Sequence, residues 1–254
     1  MYTYEQLRAI AAGVQARHGW DFGVVRDDRA PVPWDYEAYT AALLRPGQRV
    51  LDIGMGGAEK LLRLAASPRF GWGLGIDAAP EMVADARENR AGSAAADRVC
   101  LAQMPAEALA LADGVFDLVL CRHANLDVDE TLRVLAAGGQ LVTQQVGARN
   151  LLNICQAFGC GPGGEYIWDE LDVYALADRF RARGCRVLVA AEYDVPYRLL
   201  DVASLLFLLQ GVGIPEDYDL ERHWPVVAAI IAEHSDARGI ISNEHRELLH
   251  IVKP

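Results

Sequence analysis

The chain has 254 residues, 52% of them hydrophobic, and a formal net charge of −11 at pH 7. That apolar share is ample for a core and excludes a disordered chain. The acidic balance argues against a nucleic acid as partner, because affinity for a phosphate backbone rests on Lys and Arg.

No run of about 18 apolar residues is available to cross a bilayer, so no membrane role is expected. Met1-Tyr2-Thr3-Tyr4-Glu5 lacks the basic and apolar regions of a signal peptide. Five scattered cysteines, none in a CxxC pair, read as reduced thiols of a cytoplasmic protein. The histidines at 18, 223, 234, 245 and 250 show no ligand spacing, so no metal site is expected.

Helical spacing of Tyr4, Leu7, Ile10, Ala11 and Val14 predicts a helix over 4–18. A loop with Trp20 and Phe22 follows, and then Pro31-Val32-Pro33-Trp34-Asp35-Tyr36, with Asp35 an N-cap for a helix through Leu44. Trp34 and Tyr36 either anchor this helix to the core or wall a substrate pocket. Next, Arg49-Val50-Leu51-Asp52-Ile53 reads as an apolar strand running into the turn Gly54-Met55-Gly56-Gly57 and a helix over 58–66. Glycines there let the backbone approach a ligand closely, and the helix aims its free N–H groups and positive dipole end at it. A second strand, 71–76, ends at Asp77, twenty-one residues beyond Gly56, where a carboxylate can accept both hydroxyl protons of a ribose diol. A dinucleotide fingerprint would need a small residue at position 59; Glu59 stands there and would repel a pyrophosphate.

The acid at 52 followed by glycines at 54 and 56 resembles the first motif of the class I S-adenosylmethionine-dependent methyltransferases, an acidic residue and then GxGxG. The third family glycine is displaced here, with Gly57 and then Ala58. After a helix from Pro80 to about Asn89 and a strand at 98–103, the stretch Ala106-Glu107, Leu109, Asp113-Gly114 and Phe116-Asp117-Leu118-Val119 is similar to a second family segment. It departs at Pro105, where the family carries an aspartate for the adenine amino group. Arg133-Val134-Leu135 with Gly138-Gly139 is similar to a third. The resemblance covers about 45–192 and 246–254. Pro33-Trp34-Asp35-Tyr36, Arg122-His123 and Thr143-Gln144-Gln145-Val146-Gly147 also resemble a less characterised bacterial subgroup.

The fourth strand ends in Cys121-Arg122-His123-Ala124, and ligands of open α/β sheets bind outside such carboxyl ends. A helix over 127–136 and a strand over 140–146 come next, then a helix at 150–158 and the glycine-rich loop 161–164 before Tyr166 and Trp168. A helix at 169–182, a strand at 186–192, helices at 199–209 and 220–233, and a last strand at 246–252 complete the chain.

The resemblance implies an α/β, Rossmann-like, seven-stranded, mostly parallel sheet with helices on both faces and an antiparallel last strand. A single domain is expected, with an N-terminal helical cap over 1–45, a core of 46–192 and 246–254, and a helical insertion over 193–245 as substrate cover. It implies S-adenosylmethionine as cofactor and S-adenosylhomocysteine as product, held by Asp52, Gly54, Met55, Gly56, Asp77, Ala78, Met104, Ala106, Glu107, Cys121 and Arg122. Trp34, Tyr36, Gln144, Gln145 and Tyr166 are the expected substrate pocket. His123, whose imidazole titrates near neutrality, is the candidate general base. The implied reaction is methyl transfer to O, N or activated C of a small molecule, by a monomer or homodimer. The rival readings are a non-methylating or regulatory protein that binds the same cofactor and, with Glu59 against it, an NAD-dependent oxidoreductase.

Overall fold

A computed structural model describes residues 1–14, 22–161 and 172–254. The elements in order are α1 (Tyr4–Ala11), β1 (Asp27–Arg29), α2 (Tyr36–Ala42), β2 (Arg49–Ile53), α3 (Glu59–Ala65), β3 (Trp72–Asp77) and α4 (Pro80–Ala91). They continue with β4 (Val99–Gln103), β5 (Phe116–Arg122), α5 (Val128–Val134), β6 (Leu135–Val146), α6 (Leu152–Ala157) and α7 (Val173–Arg181). β7 (Arg186–Leu199), α8 (Val202–Val212), α9 (Leu220–His234), β8 (Ser235–Asp236) and β9 (Gly239–Val252) complete the chain. The residues fall into two compact units.

The larger unit comprises Pro33–Val146, Leu171–Glu192 and Glu247–Pro254. Its strands follow the order β7-β9-β6-β5-β2-β3-β4, and the pairs β6/β5, β5/β2, β2/β3 and β3/β4 are parallel. Side chains alternate between faces along a strand. Leu51, Ile53, Val119 and Cys121 therefore join one apolar cluster with Val173, Ala177 and Phe180. Val50, Leu118 and Leu120 join the other with Tyr36, Leu61, Leu62, Val83 and Ala86. Burial on both faces is why these strands read as continuous apolar runs. Asp52 points to the second face, the side of α2, α3 and α4. Chain order reverses between β2 and β5, which places the crevice of a doubly wound sheet at their carboxyl ends.

The caps explain where the helices start. Asp35 accepts from Ala38 N–H at 2.7 Å, as the sequence predicts for α2, and Asp127 accepts from Glu130 N–H at 2.8 Å at the start of α5. Several boundaries differ from expectation: the helix expected at 199–209 runs instead from Val202 to Val212, and α5 stops at Val134 with β6 beginning at once at Leu135. Leu135 pairs with Phe116 and Gln140 with Leu118, so residues 136–139 leave the ladder. They are held instead by Lys253, whose N–H donates to Gly139 O at 2.9 Å and whose carbonyl accepts from Gly138 at 3.1 Å.

The smaller unit comprises Met1–Val32, Gly147–Glu170 and Tyr193–Arg246. Its core is aliphatic, with Leu7, Ile154, Leu199, Leu205, Leu209, Val227 and Ile230 all buried. Here β1 pairs antiparallel with residues 197–199 of β7, and β8 with the start of β9. The sequence reading ends the sixth strand at 192, starts the last at 246 and places only helices between. The structure carries β7 on to Leu199 and begins β9 at Gly239, and β1 and β8 bring the strands among the described residues to nine. Pro196 masks the first extension, because proline is rare inside strands; its carbonyl still accepts from Ala30 N–H at 3.0 Å. Polar residues mask the second, and each has a partner. Asn243 donates to Asp194, Glu244 accepts from Tyr193 and Arg29, and Arg246 donates to Asn150.

Candidate functional site

Beyond Ile53 the chain turns on glycine. The N–H groups of Gly54 and Met55 both donate to Ile76 O, at 2.9 and 3.0 Å. Gly54 has φ +69°, and a Cβ there would stand 2.1 Å from Ala124 Cβ, so only glycine fits between β2 and the end of β5. Gly56, at φ +55°, donates its N–H to Asp77 Oδ2 at 2.9 Å. The other carboxylate oxygen accepts from Ala79 N–H at 3.0 Å. Two backbone donors thus fix the Asp77 carboxylate, which keeps acceptor capacity for further hydroxyls. Asn89 Nδ2 donates to Gly57 O at 2.9 Å and holds the far side of the turn. Ala58, where the family pattern has its third glycine, takes a left-handed conformation at φ +60°.

Asp52 is buried at the end of β2. Burial pushes its carboxyl up to about 7; Asp77 adds to the rise, and Arg122 and Lys60 oppose it. Tyr36 is buried nearby, and burial, with the Asp52 charge next, drives its phenol well above the usual range. Its hydroxyl donates to Val142 O at 3.3 Å, and the Arg122 guanidinium lies 6.0 Å from its ring centroid. Lys60 ion-pairs with Glu37. Glu37 also accepts from Arg63 at 2.9 and 3.0 Å. The hydrogen bonds from Arg63 and then Lys60 outweigh partial burial and bring Glu37 to about 2.

The end of β5 is tied to the end of β6. His123 sits at φ +55°, uncommon for a side-chain-bearing residue, and its N–H donates to Gln144 O at 2.9 Å. The Gln144 side chain is buried, accepts from Trp34 Nε1 at 2.9 Å and has its Nε2 3.3 Å from His123 Nε2. Gln145 Nε2 donates to Thr143 Oγ1 at 2.8 Å and to Ala124 O at 3.1 Å. Burial raises the Cys121 thiol to about 12, and the thiol donates to Ala124 O at 3.3 Å. Burial thus favours the neutral thiol over the thiolate at Cys121.

The structure brings Asp52, Gly54, Met55, Gly56, Asp77 and Arg122 together with Tyr36 around one turn, and joins Trp34, Gln144 and His123 by hydrogen bonds. Met104 donates its N–H to Asp77 O at 2.9 Å, which starts the 104–107 segment beside the acid. Ala106 is half-buried, Glu107 is exposed, and exposed Ala78 is held through its carbonyl by Gln103 at 3.1 Å. Tyr166 lies outside the described residues, as do His18, Trp20 and Trp168. Glu37, Lys60 and Asn89 were not singled out from the sequence. Lys60 lies in the first turn after the glycines and was within reach of a sequence reading, whereas Glu37 and Asn89 arrive from other helices with no local signal.

Sheet order, glycine turn and the carboxylate closing β3 define a Rossmann-like nucleoside-binding domain. Residues 50–139 match the family model described as "Methyltransferase domain". A ubiquinone/menaquinone biosynthesis C-methyltransferase of Geobacter sulfurreducens is 30% identical over 151 residues, 54% of this chain and 57% of that protein, so the chain matches little more than half of this curated relative's length. Among solved structures, a methyltransferase from Geobacter sulfurreducens in complex with S-adenosyl-L-homocysteine superposes with TM-score 0.55 at 18% identity, covering 98% of each chain. The [4+2]-cyclase SpnF gives TM-score 0.57 at 20% identity, covering 98% of this chain and 91% of its own. The methyltransferase-domain match over residues 50–139 and these similarities together support a class I S-adenosylmethionine-dependent methyltransferase. Among the described residues no helix is long and apolar enough to cross a membrane.

Proposed function

We propose that the protein is a methyltransferase that uses S-adenosylmethionine to methylate O, N or an activated C of a small molecule. The observation that carries this reading is the pair of acids on one glycine turn. Asp77 is oriented by Gly56 and Ala79, and Asp52 is buried with its carboxyl raised to about 7.

The residues present fit the cofactor. Asp77 suits a ribose diol, and Asp52 has a site for a cation, since an ammonium beside it would offset the burial that raises its pKa. The Gly54 backbone is pressed on Ala124, and the glycines at 54 and 56 are proposed to let the turn approach the cofactor closely. Met55, Met104, Ala106 and Glu107 are proposed around the nucleoside, and Arg122 at the amino-acid end. When bound, S-adenosylmethionine supplies a methyl on a sulfonium, so attack by the acceptor displaces neutral S-adenosylhomocysteine.

The chain's own contribution is to position that acceptor and keep water out. Trp34, Tyr36, Gln144 and Gln145 are proposed to shape the acceptor side, with His123 as the polar group presented there. The net charge of −11 favours a small or cationic acceptor over a nucleic acid. A second reading, a reaction other than methyl transfer on the same fold, draws on the similarity to a [4+2]-cyclase.

Calorimetric titration with S-adenosylmethionine, S-adenosylhomocysteine and NAD tests the cofactor, with micromolar binding of the adenosyl ligands alone expected. Turnover of methyl-labelled cofactor over an acceptor panel tests the reaction. Consumption of an acceptor with no gain of methyl mass would replace the proposal with the second reading, and binding of NAD alone would overturn both.

A further inference from the structure

The contacts around His123 decide which of its nitrogens carries the proton. Trp34 comes first, because its indole N–H can only donate. It points at the Gln144 side chain, with Nε1 2.9 Å from Oε1. An amide oxygen is the only atom of that side chain able to accept, so the indole fixes the amide orientation on chemical grounds. The amide nitrogen must then face the other way, and it stands 3.3 Å from His123 Nε2. An amide NH2 only donates, so His123 Nε2 has to accept. A neutral imidazole that accepts at Nε2 carries its proton at Nδ1.

The backbone sets the same arrangement. His123 N–H donates to Gln144 O at 2.9 Å, so both main chain and ring of His123 are referenced to one residue of β6. The left-handed φ of +55° at His123 carries a conformational cost that its surroundings must override, and such residues concentrate at functional sites. Gln144 is buried and Trp34 half-buried, so water competes little for these bonds.

We propose that Trp34 and Gln144 are positioning residues that lock His123 as its neutral Nδ1–H tautomer, making it a hydrogen-bond donor toward the methyl acceptor rather than a proton-abstracting base. Abstraction needs an available lone pair. The one on Nε2 is engaged by Gln144, and Nδ1 holds a hydrogen. Protonation at Nε2 would set two N–H donors against each other. The ring therefore orients an acceptor oxygen or nitrogen and is not the group that takes the acceptor's proton. The donor role rests on the methyltransferase reading; the tautomer does not.

Nitrogen-15 NMR of histidine-labelled protein tests this directly. Long-range proton–nitrogen spectra separate protonated from unprotonated ring nitrogens, and His123 is assigned by the signals lost in His123→Asn. At pH 8 the wild type is expected to show an unprotonated Nε2 and a protonated Nδ1. In Gln144→Glu the carboxylate still accepts from Trp34 but now also accepts from the ring, so the Nε2 signal should shift to the protonated position. In Trp34→Phe the amide loses its orienting donor, and the two tautomers should mix. A wild-type His123 protonated at Nε2 overturns the proposal even if neither variant folds, and so does a Gln144→Glu spectrum identical to wild type. Titration of the same samples with S-adenosylhomocysteine keeps the outcomes apart. Absence of binding removes the methyltransferase reading, and the donor role with it, while the nitrogen shifts still report the tautomer.

Discussion

Two acids of the larger unit, both near Lys60, end in opposite states. Glu37 on α2 is gripped by Lys60 and Arg63 and brought down to about 2. Asp52 at the end of β2 is buried and raised to about 7, with Arg122 and Lys60 only partly offsetting the loss of water. Where the chain supplies its own counter-charge it builds a clasp between α2 and α3. Where it leaves a buried carboxyl short of one, it leaves work for a ligand. This contrast favours a cationic group at Asp52, and it can be broken experimentally.

The largest effect is expected at the acid that completes the turn. Asp77→Ala removes the acceptor of Gly56 and Ala79 N–H together with the proposed grip on the diol. Charge-assisted hydrogen bonds contribute about 1.5–3 kcal/mol each, so S-adenosylhomocysteine affinity should fall roughly 100-fold by titration calorimetry. A change below about threefold would detach Asp77 from the cofactor.

Asp52→Asn comes next, and its sign follows from linkage. The folded-state carboxyl at about 7 lies above its ordinary value of 3.8. Between those values the folded protein holds a proton that the unfolded chain has released, so this group makes stability fall as pH rises through the window and then level off. The asparagine does not titrate, so the substitution removes that slope. The variant should melt with the wild type near pH 4 and several degrees above it at pH 8, and parallel melting curves would show Asp52 to be ordinary. The wild type should bind S-adenosylmethionine more tightly as pH rises from 6 to 8. Methylthioadenosine, which lacks the ammonium, should show no such trend.

How much of this was legible beforehand depends on whether the signal is local. Gly54, Gly56 and Asp77 were readable because strand, turn and acid follow each other within one βα unit and the next strand. Asp35 was readable as a cap for the same reason. The clasp was not, since Glu37 reaches Lys60 and Arg63 from another helix. Nor was the tie from Trp34 to Gln144, which spans 110 positions. In the smaller unit, β7 hides behind Pro196 and the start of β9 behind Asn243, Glu244, His245 and Arg246. These are polar residues whose partners lie far along the chain, and a period-2 pattern needs an apolar face to be seen.

The clasp itself should contribute modestly. Its carboxylate is 41% exposed, which screens the pair, and Glu37→Gln should cost about 1 kcal/mol. Glu37 is a depressed acid, so its contribution is present above its ordinary value of 4.5 and lost as pH falls toward about 2. The difference in melting temperature between variant and wild type should hold from pH 5 to 8 and close below pH 4. Releasing Lys60 should also lower the Asp52 pKa, moving the Asp52→Asn divergence to lower pH. An unmoved divergence would mean that the two acids do not share Lys60.

The smallest expected effect sharpens the comparison from the side of the backbone. Ala58 is fully buried and left-handed at φ +60°, where the family pattern has a glycine. Relief of left-handed strain in Ala58→Gly contributes about 1–2 kcal/mol. Against it stand the lost methyl, about 0.8 kcal/mol, and the extra entropy of glycine in the unfolded chain, about 0.4–1 kcal/mol. The terms nearly cancel, so the variant should melt within a few degrees of wild type and bind S-adenosylhomocysteine unchanged. A large loss of stability would mean that the methyl packs as a structural part of the second cluster, and the turn would then be specified by packing as well as by glycine. A large gain would mean that the turn carries strain that binding does not need.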